Sequence, residues 1–315
     1  MPHSDPSIFL SGAADIVRTL DILVEWPPDS HAAADINALF PGADADEAVT
    51  EIIRGVDPVG NVIGTSASDT LSVSAEDAGL WGAEGDDTLN AGPMDALLSG
   101  GSGNDVLTAG AGADVLYGGP GDDRMDGGAG NDFFVMSAGD DVIVGGLGID
   151  TLVLGEGWGA PLTLTLAGAG PSDPGGSPAA IDGADKVSAV ENVVGGAGAD
   201  RITGSEAANI LFGSGGDDRL DGGAGNDVLD GGAGADILTG GPDADIFRFQ
   251  ASANDVVTDY SRDQGDVLQM PGIEGNVSFA SLGADLLIVD AEGDPVVRLA
   301  GITSPAQVTI DYLGV

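Results

Sequence analysis

The sequence predicts an all-β solenoid, a parallel coil of very short strands, on three observations. A nine-residue unit recurs in frame over long stretches, 54 of 315 residues are glycine, and 52 acidic residues stand against 9 basic ones. A nine-residue unit is too short for a helix pair and divides into a six-residue turn and a three-residue strand. Such units bury apolar surface only by stacking. The formal net charge of −43 at pH 7 repels nucleic acid and anionic membranes, and the absence of cysteine leaves neither a disulfide framework nor a thiolate zinc site. A hydrophobic share of 42% argues against a disordered acidic tail.

Residues 1–63 precede the repeats. The stretch Met1 to Trp26 lacks a basic leading region, and Asp15, Arg18 and Asp21 interrupt its apolar residues. It reads as neither a Sec signal peptide nor a transmembrane segment, and no other window reaches ~18 apolar residues free of charge. Phe9, Ala13, Ile16, Leu20 and Leu23 recur at helical spacing, while Leu20, Ile22, Val24 and Trp26 alternate like a strand, so both readings stand. Ser30 to Phe40 and Asp46 to Val56 read as short helices with Ser30 and Asp46 as caps. The segment is read as an N-terminal cap or a partner module.

The first array spans 64–153. Degenerate units begin at Gly64, Val73, Gly82 and Ala91, followed by GGSGNDVLT from Gly100, AGAGADVLY, GGPGDDRMD, GGAGNDFFV, MSAGDDVIV and GGLGIDTLV. The second array, 195–248, reads GGAGADRIT, GSEAANILF, GSGGDDRLD, GGAGNDVLD, GGAGADILT and GGPDADIFR. The step from Gly145 to Gly195 is 50 residues and breaks the nine-residue phase. Residues 154–194 are therefore a connecting insertion, with a PLTLTLAG strand, a Pro/Gly/Ser-rich loop around Gly168 to Ala179, and DKVSAVENVV leading into the second array.

Each position of the unit has a physical role. Glycine at positions one, two and four permits positive φ and turns carbonyls inward. Aspartate at position six supplies a hard anionic oxygen of the kind that suits Ca2+. The apolar residue at position eight, as in Leu107, Leu116, Met125, Phe134, Leu220 and Phe247, alternates with outward neighbours and faces a core. Two carboxylates ~5 Å apart repel by roughly 0.8 kcal/mol at a dielectric of 80 and about four times that at 20, so a column of them requires cations. Asp86, Asp122, Asp140 and Asp217, at position five, read as solvated surface charges.

GGSGNDVLT and GGAGNDVLD match the G-G-x-G-x-D-x-U-x nonapeptide at every position, and over residues 64–315 the sequence resembles the repeats-in-toxin (RTX) family of secreted bacterial proteins, with haemolysin-type calcium-binding repeats. The resemblance implies a right-handed parallel β-roll, two units per turn, with Ca2+ held between stacked turns. Carried onto this chain, one edge pairs Asp69 with Asp87, and continues through Asp105, Asp123 and Asp141. The other runs through Asp114, Asp132 and Asp150, beginning late because position six is Ala78 and Ala96 in two units. In the second array the edges hold Asp200, Asp218 and Asp236, and Asn209, Asp227 and Asp245, the Asn209 site being weaker. Backbone carbonyls of Gly100, Gly103, Gly118, Gly121, Gly127, Gly130, Gly213, Gly222, Gly225, Gly231 and Gly234 complete the expected ligand set.

Residues 249–315 read as short strands in DVVTDY, DVLQM, LLIVD and VVRLAG, the last two joined by a turn at Ala291 to Asp294. They resemble the uncleaved C-terminal targeting region of type I secretion substrates, down to the terminal Asp311, Tyr312, Leu313, Gly314, Val315, and also read as a β cap on the roll. The resemblance implies the type I secretion machinery as partner during export and a secreted, extracellular or cell-surface location. With only His3 and His31 there is no H-E-x-x-H helix, no serine sits in G-x-S-x-G, and about 63 residues outside the repeat region are too few for a typical catalytic domain. The expected function is a secreted, non-catalytic calcium-binding protein whose roll folds on binding Ca2+ outside the cell. The alternatives are a structural or adhesive surface protein with the stiffened roll as spacer, or an accessory module of a polysaccharide-modifying or hydrolytic system.

Overall fold

The structure is a computed structural model and describes residues 62–73, 78–154, 160–166, 185–249, 254–270, 277–290 and 293–311. The readings above for residues 1–61, for Gly168 to Ala179 and for Tyr312 to Val315 lie outside these residues. Each repeat unit contributes one strand centred on position eight. Val115–Tyr117 buries Leu116, Phe133–Val135 buries Phe134, and Arg219–Gly223 buries Leu220, while the flanking residues of the same strands face outward. Pairing partners lie 18 residues apart, as in Leu89 with Leu107 and Leu98 with Leu116, so consecutive units go to opposite faces and two units make one turn.

One face is a single twelve-stranded sheet running from Val62–Ile63 to Ile310–Asp311. The other is split into a six-stranded sheet, Thr70–Ser72 to Lys186–Ser188, and an eight-stranded sheet, Thr163–Thr165 to Ser278–Leu282. We call these the long face and the split face. Every position-eight residue from Leu89 to Leu152 and from Ile202 to Phe247 is at most 1% exposed and lies in one continuous apolar core between the faces. The outward side of the long face adds a small second cluster, Val153 and Val194 packed by Phe133 and Phe212.

Several strands are longer than the three residues expected from the repeat. Ala96–Ser102, Val106–Ala111, Arg124–Ala129 and Val142–Leu147 run on into the turn, and Gly110 pairs with Gly128 in register. The position-two and position-four glycines make this stacking feasible. Gly121 holds φ at +142°, and a Cβ there would collide with the carbonyl of Gly103 on the preceding turn.

The insertion is threaded into the stack. On the long face Leu152 pairs with Val193, and Val193 pairs with Leu211, so that sheet runs unbroken through the break in phase. On the split face Lys186–Ser188 extends the first sheet beside Val142 to Val144, whereas Thr163–Thr165, within the PLTLTLAG segment, opens the second beside Arg201 to Thr203. Only Ala189, Val190 and Glu191 connect Lys186–Ser188 to Asn192–Val194, with Ala189 at φ +52°.

Past the repeats, Asp255–Val257 and Val267–Gln269 continue the two faces. Pro295–Leu299 adds in parallel, then Asp285–Val289 and Ser278–Leu282 add antiparallel, closing the split face with a meander. A hairpin therefore joins the LLIVD and VVRLAG strands, although Ala291 and Glu292 lie outside the described residues. Ile310–Asp311 closes the long face, preceded by a 3-10 turn, Pro305–Gln307, with a Ser304–Gln307 capping box.

Candidate metal centres

All twelve position-six aspartates expected as ligands are buried, each directly ahead of a strand. Their Oδ1 atoms accept the backbone N–H of the position-six residue one turn earlier, except that of Asp200, which takes the N–H of Leu162 in the insertion at 2.8 Å. The distances are 2.7 Å for Asp87 N–H to Asp105, 2.8 Å for Asp105 to Asp123 and 2.9 Å for Asp123 to Asp141. On the opposite edge they are 2.9 Å for Asp114 to Asp132 and 2.8 Å for Asp132 to Asp150. In the second array Asp200 N–H bonds Asp218, Asp218 bonds Asp236 and Asp227 bonds Asp245, at 2.7, 2.7 and 3.0 Å. The pairs assigned from the repeat phase are thus placed on successive turns of the same edge. Asp69 joins at 2.7 Å to Asp87, and its own Oδ2 takes the Thr65 N–H at 2.6 Å.

The second oxygen defines the chemistry. Oδ2 of Asp87, Asp105, Asp114, Asp123, Asp132, Asp150, Asp218, Asp227, Asp236 and Asp245 is buried without a hydrogen-bond partner. In all of these but Asp114, whose unit opens with Ala109, it points at the glycine in position one of its own unit. A Cβ on Gly100 would strike both Asp105 Oδ2 and the Gly118 carbonyl. One on Gly127 would meet Asp132 Oδ2 and the Gly145 carbonyl, and one on Gly213 would meet Asp218 Oδ2 and the Gly231 carbonyl. Gly222 and Gly231 stand in the same relation to Asp227 and Asp236. The carbonyls of Gly103 and Gly130 point along the edge at Gly121 and Gly148 of the following turn, the Gly121 carbonyl points at Gly139, and Gly225 and Gly234 sit against Ala207 and Gly216 of the preceding turn. Position one also accepts Ala109 beside Asp114 and Met136 beside Asp141, and at Asp141 the Ser137 hydroxyl donates to Oδ2 at 3.3 Å.

Burial is the main force on these carboxyls. It raises Asp123 to about 8, Asp114, Asp150, Asp218 and Asp245 to about 7, and Asp105, Asp132 and Asp227 to about 6. Burial raises Asp141, Asp200 and Asp236 as well. The accepted backbone N–H lowers most of them in part, while neighbouring carboxylates on the edges push most of them further up. A buried carboxylate oxygen with no donor is strongly disfavoured unless a cation meets it. The donor set is all hard oxygen, carboxylate plus carbonyl, which matches Ca2+ and excludes softer metals. Among the described residues no three His, Asp or Glu side chains gather at one point. An ion between turns would therefore rely on two successive aspartates and on backbone carbonyls.

The position-five residues are exposed, as expected of surface charges, yet they also build structure. Asn104 N–H donates to Asp86 at 2.9 Å, Asp122 N–H to Asn104 at 3.0 Å, Asp140 N–H to Asp122 at 3.0 Å, and Ala235 N–H to Asp217 at 3.0 Å. These side chains reach forward one turn, whereas position six reaches back.

Four acids outside the expected set take the position-six place. Asp185 accepts the Asp141 N–H at 2.6 Å, Glu191 the Asp150 N–H at 2.8 Å, Asp255 the Asp236 N–H at 3.0 Å and Asp266 the Asp245 N–H at 3.1 Å. A signal was present. Asp185-Lys-Val, Glu191-Asn-Val, Asp255-Val-Val and Asp266-Val-Leu all keep the acid, any residue, apolar triplet of positions six to eight without the glycines. Asn209 keeps the fold but differs in chemistry: its Oδ1 takes the Ser205 N–H at 2.7 Å and its amide donates to the Glu191 carbonyl at 2.6 Å.

A family model described as the RTX calcium-binding nonapeptide repeat (four copies) matches residues 63–93, 99–134, 137–158, 188–220 and 212–247. No curated protein matches the chain. Among solved structures, the AlgE6R3 subunit of the Azotobacter vinelandii mannuronan C5-epimerase is similar over 36% of this chain and 77% of that chain, at 29% identity and a TM-score of 0.29. The extracellular lipase LipA of Serratia marcescens is similar over 72% of this chain and 40% of its own, at 19% identity and a TM-score of 0.31.

Proposed function

Because the chain belongs to the RTX family of calcium-binding nonapeptide-repeat proteins, we propose that it is a secreted, non-catalytic protein whose β-roll is completed by Ca2+ outside the cell, with Asp87, Asp105, Asp114, Asp123, Asp132, Asp141, Asp150, Asp200, Asp218, Asp227, Asp236 and Asp245 as ligands. The observation that carries this reading is the column of buried, partnerless Oδ2 atoms along both edges. Bound Ca2+ supplies the positive charge that these oxygens lack. The chain's own part is to present them: Oδ1 is fixed by the N–H of the neighbouring turn, which leaves Oδ2 aimed at the glycine turn. A ligand that binds only the folded chain stabilises it by mass action, so folding follows free Ca2+. Sites of extracellular strength, Kd ~10⁻⁴ to 10⁻³ M, leave the chain largely unfolded in a cytosol and fold it outside. That order suits export of an unfolded chain by a type I secretion route, with residues 249–315 as targeting region and cap.

Calcium titration followed by circular dichroism tests the reading, with Asp105→Ala, Asp123→Ala, Asp227→Ala and Asp236→Ala as controls. The β signal rises with Ca2+ in the native chain and rises later in the variants. An identical β signal in chelator and in millimolar Ca2+ would sink it. Export of a chain lacking residues 256–315 tests the targeting claim, which an unchanged extracellular yield overturns.

A further inference from the structure

The outer sides of the two faces differ. On the split face the residues that flank the core side chains across both arrays include Arg124, Asp126, Arg201, Arg219 and Asp221, and none is aromatic. On the long face the flanking residues from Gly79 to Phe212 carry no charge, in a chain of net charge −43, and four of them are Trp81, Tyr117, Phe133 and Phe212. The parallel register sets these residues in two rows, Leu97 with Val115 and Phe133 in one, Trp81 with Ser99 and Tyr117 in the other. All six are partly exposed. Trp81 lies back along its own strand: the far end of its indole fills the space that a Cβ on Gly79 would take, and Gly79 is buried. Two strands further on in the same row stands Tyr117, about 10 Å away at the ~4.8 Å spacing of strands.

We propose that this strip, centred on Trp81 and Tyr117, binds a neutral, β-linked polysaccharide. A contiguous apolar patch on a folded surface marks an interaction site, and charge selects the partner. A polyanion or a second copy of so acidic a chain is repelled, whereas an uncharged glycan is not. The shape selects it further. A pyranose ring presents C–H bonds on its flat side, which pack on the electron-rich face of an aromatic ring. An extended β-linked chain turns every second sugar to the same side, so its stacking partners are wanted two residues apart, as Trp81 and Tyr117 are placed two strands apart. Ser99 stands between them with a hydroxyl at the height of the intervening sugar. Gly79 is part of the site, because any side chain there would displace the indole.

Calorimetric titration of the full chain in saturating Ca2+ with soluble oligosaccharides of cellulose, mannan, xylan and chitin tests this, with polygalacturonate as the anionic arm and circular dichroism to show that each variant is folded. The native chain binds at least one neutral glycan, with an affinity that added salt leaves unchanged. Trp81→Ala and Tyr117→Ala each weaken it by about tenfold, Gly79→Ala weakens it by shifting the indole, and Val106→Ala, on the exposed outer side of the split face, leaves it unaltered. Should Trp81→Ala lose its β signal, Tyr117→Ala decides. A folded native chain that binds none of the neutral glycans, or binds only polygalacturonate, overturns the inference, as does an affinity that Tyr117→Ala leaves unaltered. Light scattering that finds a dimer split by Tyr117→Ala assigns the strip to a second copy and also overturns it. A β signal that is the same with and without calcium removes the calcium reading and leaves this one standing.

Discussion

The glycine turns and the junction at residues 185–194 solve one stacking problem in two ways. In a glycine turn a carboxylate satisfies the neighbouring backbone with one oxygen and leaves the other buried and open. At the junction the long-face edge is closed by the protein itself. Glu191 takes the Asp150 N–H, the Asn209 amide donates to the Glu191 carbonyl, and Asn192 receives the Ile210 N–H at 2.9 Å while its own amide reaches Thr151 at 3.3 Å. The difference teaches that the strand ladder and the ion turn are separable modules. An acid or amide ahead of each strand is enough to continue the ladder, and the six-residue glycine turn is what leaves a buried carboxylate oxygen open.

Withdrawal of calcium breaks the comparison most forcefully. Hydrogen exchange in chelator should show protection lost across 100–150 and 213–245, with the smallest loss at 186–194; uniform loss would show that the junction has no independent closure. Acid gives the next largest effect, with a definite sign. The edge carboxyls have folded pKa values near 6 to 8 for Asp123, Asp114, Asp150, Asp218 and Asp105, above an unfolded value of 3.8. Their protonated forms stabilise the calcium-free roll fully below about pH 4, and that stabilisation is lost as pH rises through 6 to 8. The calcium-free chain should therefore gain β signal from pH 8 to pH 5, while calcium affinity falls over the same range because protons compete. A calcium-free chain with no more β signal at pH 5 than at pH 8 would contradict this.

Smaller effects sharpen the contrast. Leu116→Ala, emptying a fully buried position eight, should cost about 2 to 5 kcal/mol in calcium-saturated thermal unfolding. Gly121→Ala should cost about 1 to 3 kcal/mol, from its positive φ and the Gly103 carbonyl against it. Asn209→Asp removes an amide donor from the Glu191 carbonyl and should destabilise the calcium-free form by about 1 to 2 kcal/mol while making stability more calcium-dependent. Chemical denaturation with and without chelator measures that difference, and equal loss in both conditions would mean that Asn209 is not a substitute for an ion.

Much of this was legible in the sequence because the unit is strictly phased. Leu107, Leu116 and Leu220 declare the core, and Asp105 and Asp123 declare the edge, by position alone. Legibility fails where phase does. Asp185 and Glu191 lie within the insertion, 44 and 41 residues past their partners, and Asp255 and Asp266 lie 19 and 21 residues past theirs instead of 18, so counting by nines passes over them although the acid-to-apolar triplet survives. The role of Asp122 and Asp140 was hidden for another reason. Exposure and charge suggest solvent, and only the pairing of turns shows the Asp122 carboxylate accepting the Asp140 backbone N–H.

The opposed reach of positions five and six has a mechanical meaning. Asp122 bonds forward to the turn of Asp140 while Asp123 bonds back to the turn of Asp105, so each interior turn is latched to both neighbours. Only a terminal turn has a latch on one side. A pull applied to the chain should therefore peel the roll from its ends, one 18-residue coil at a time, as a sequence of evenly spaced force peaks.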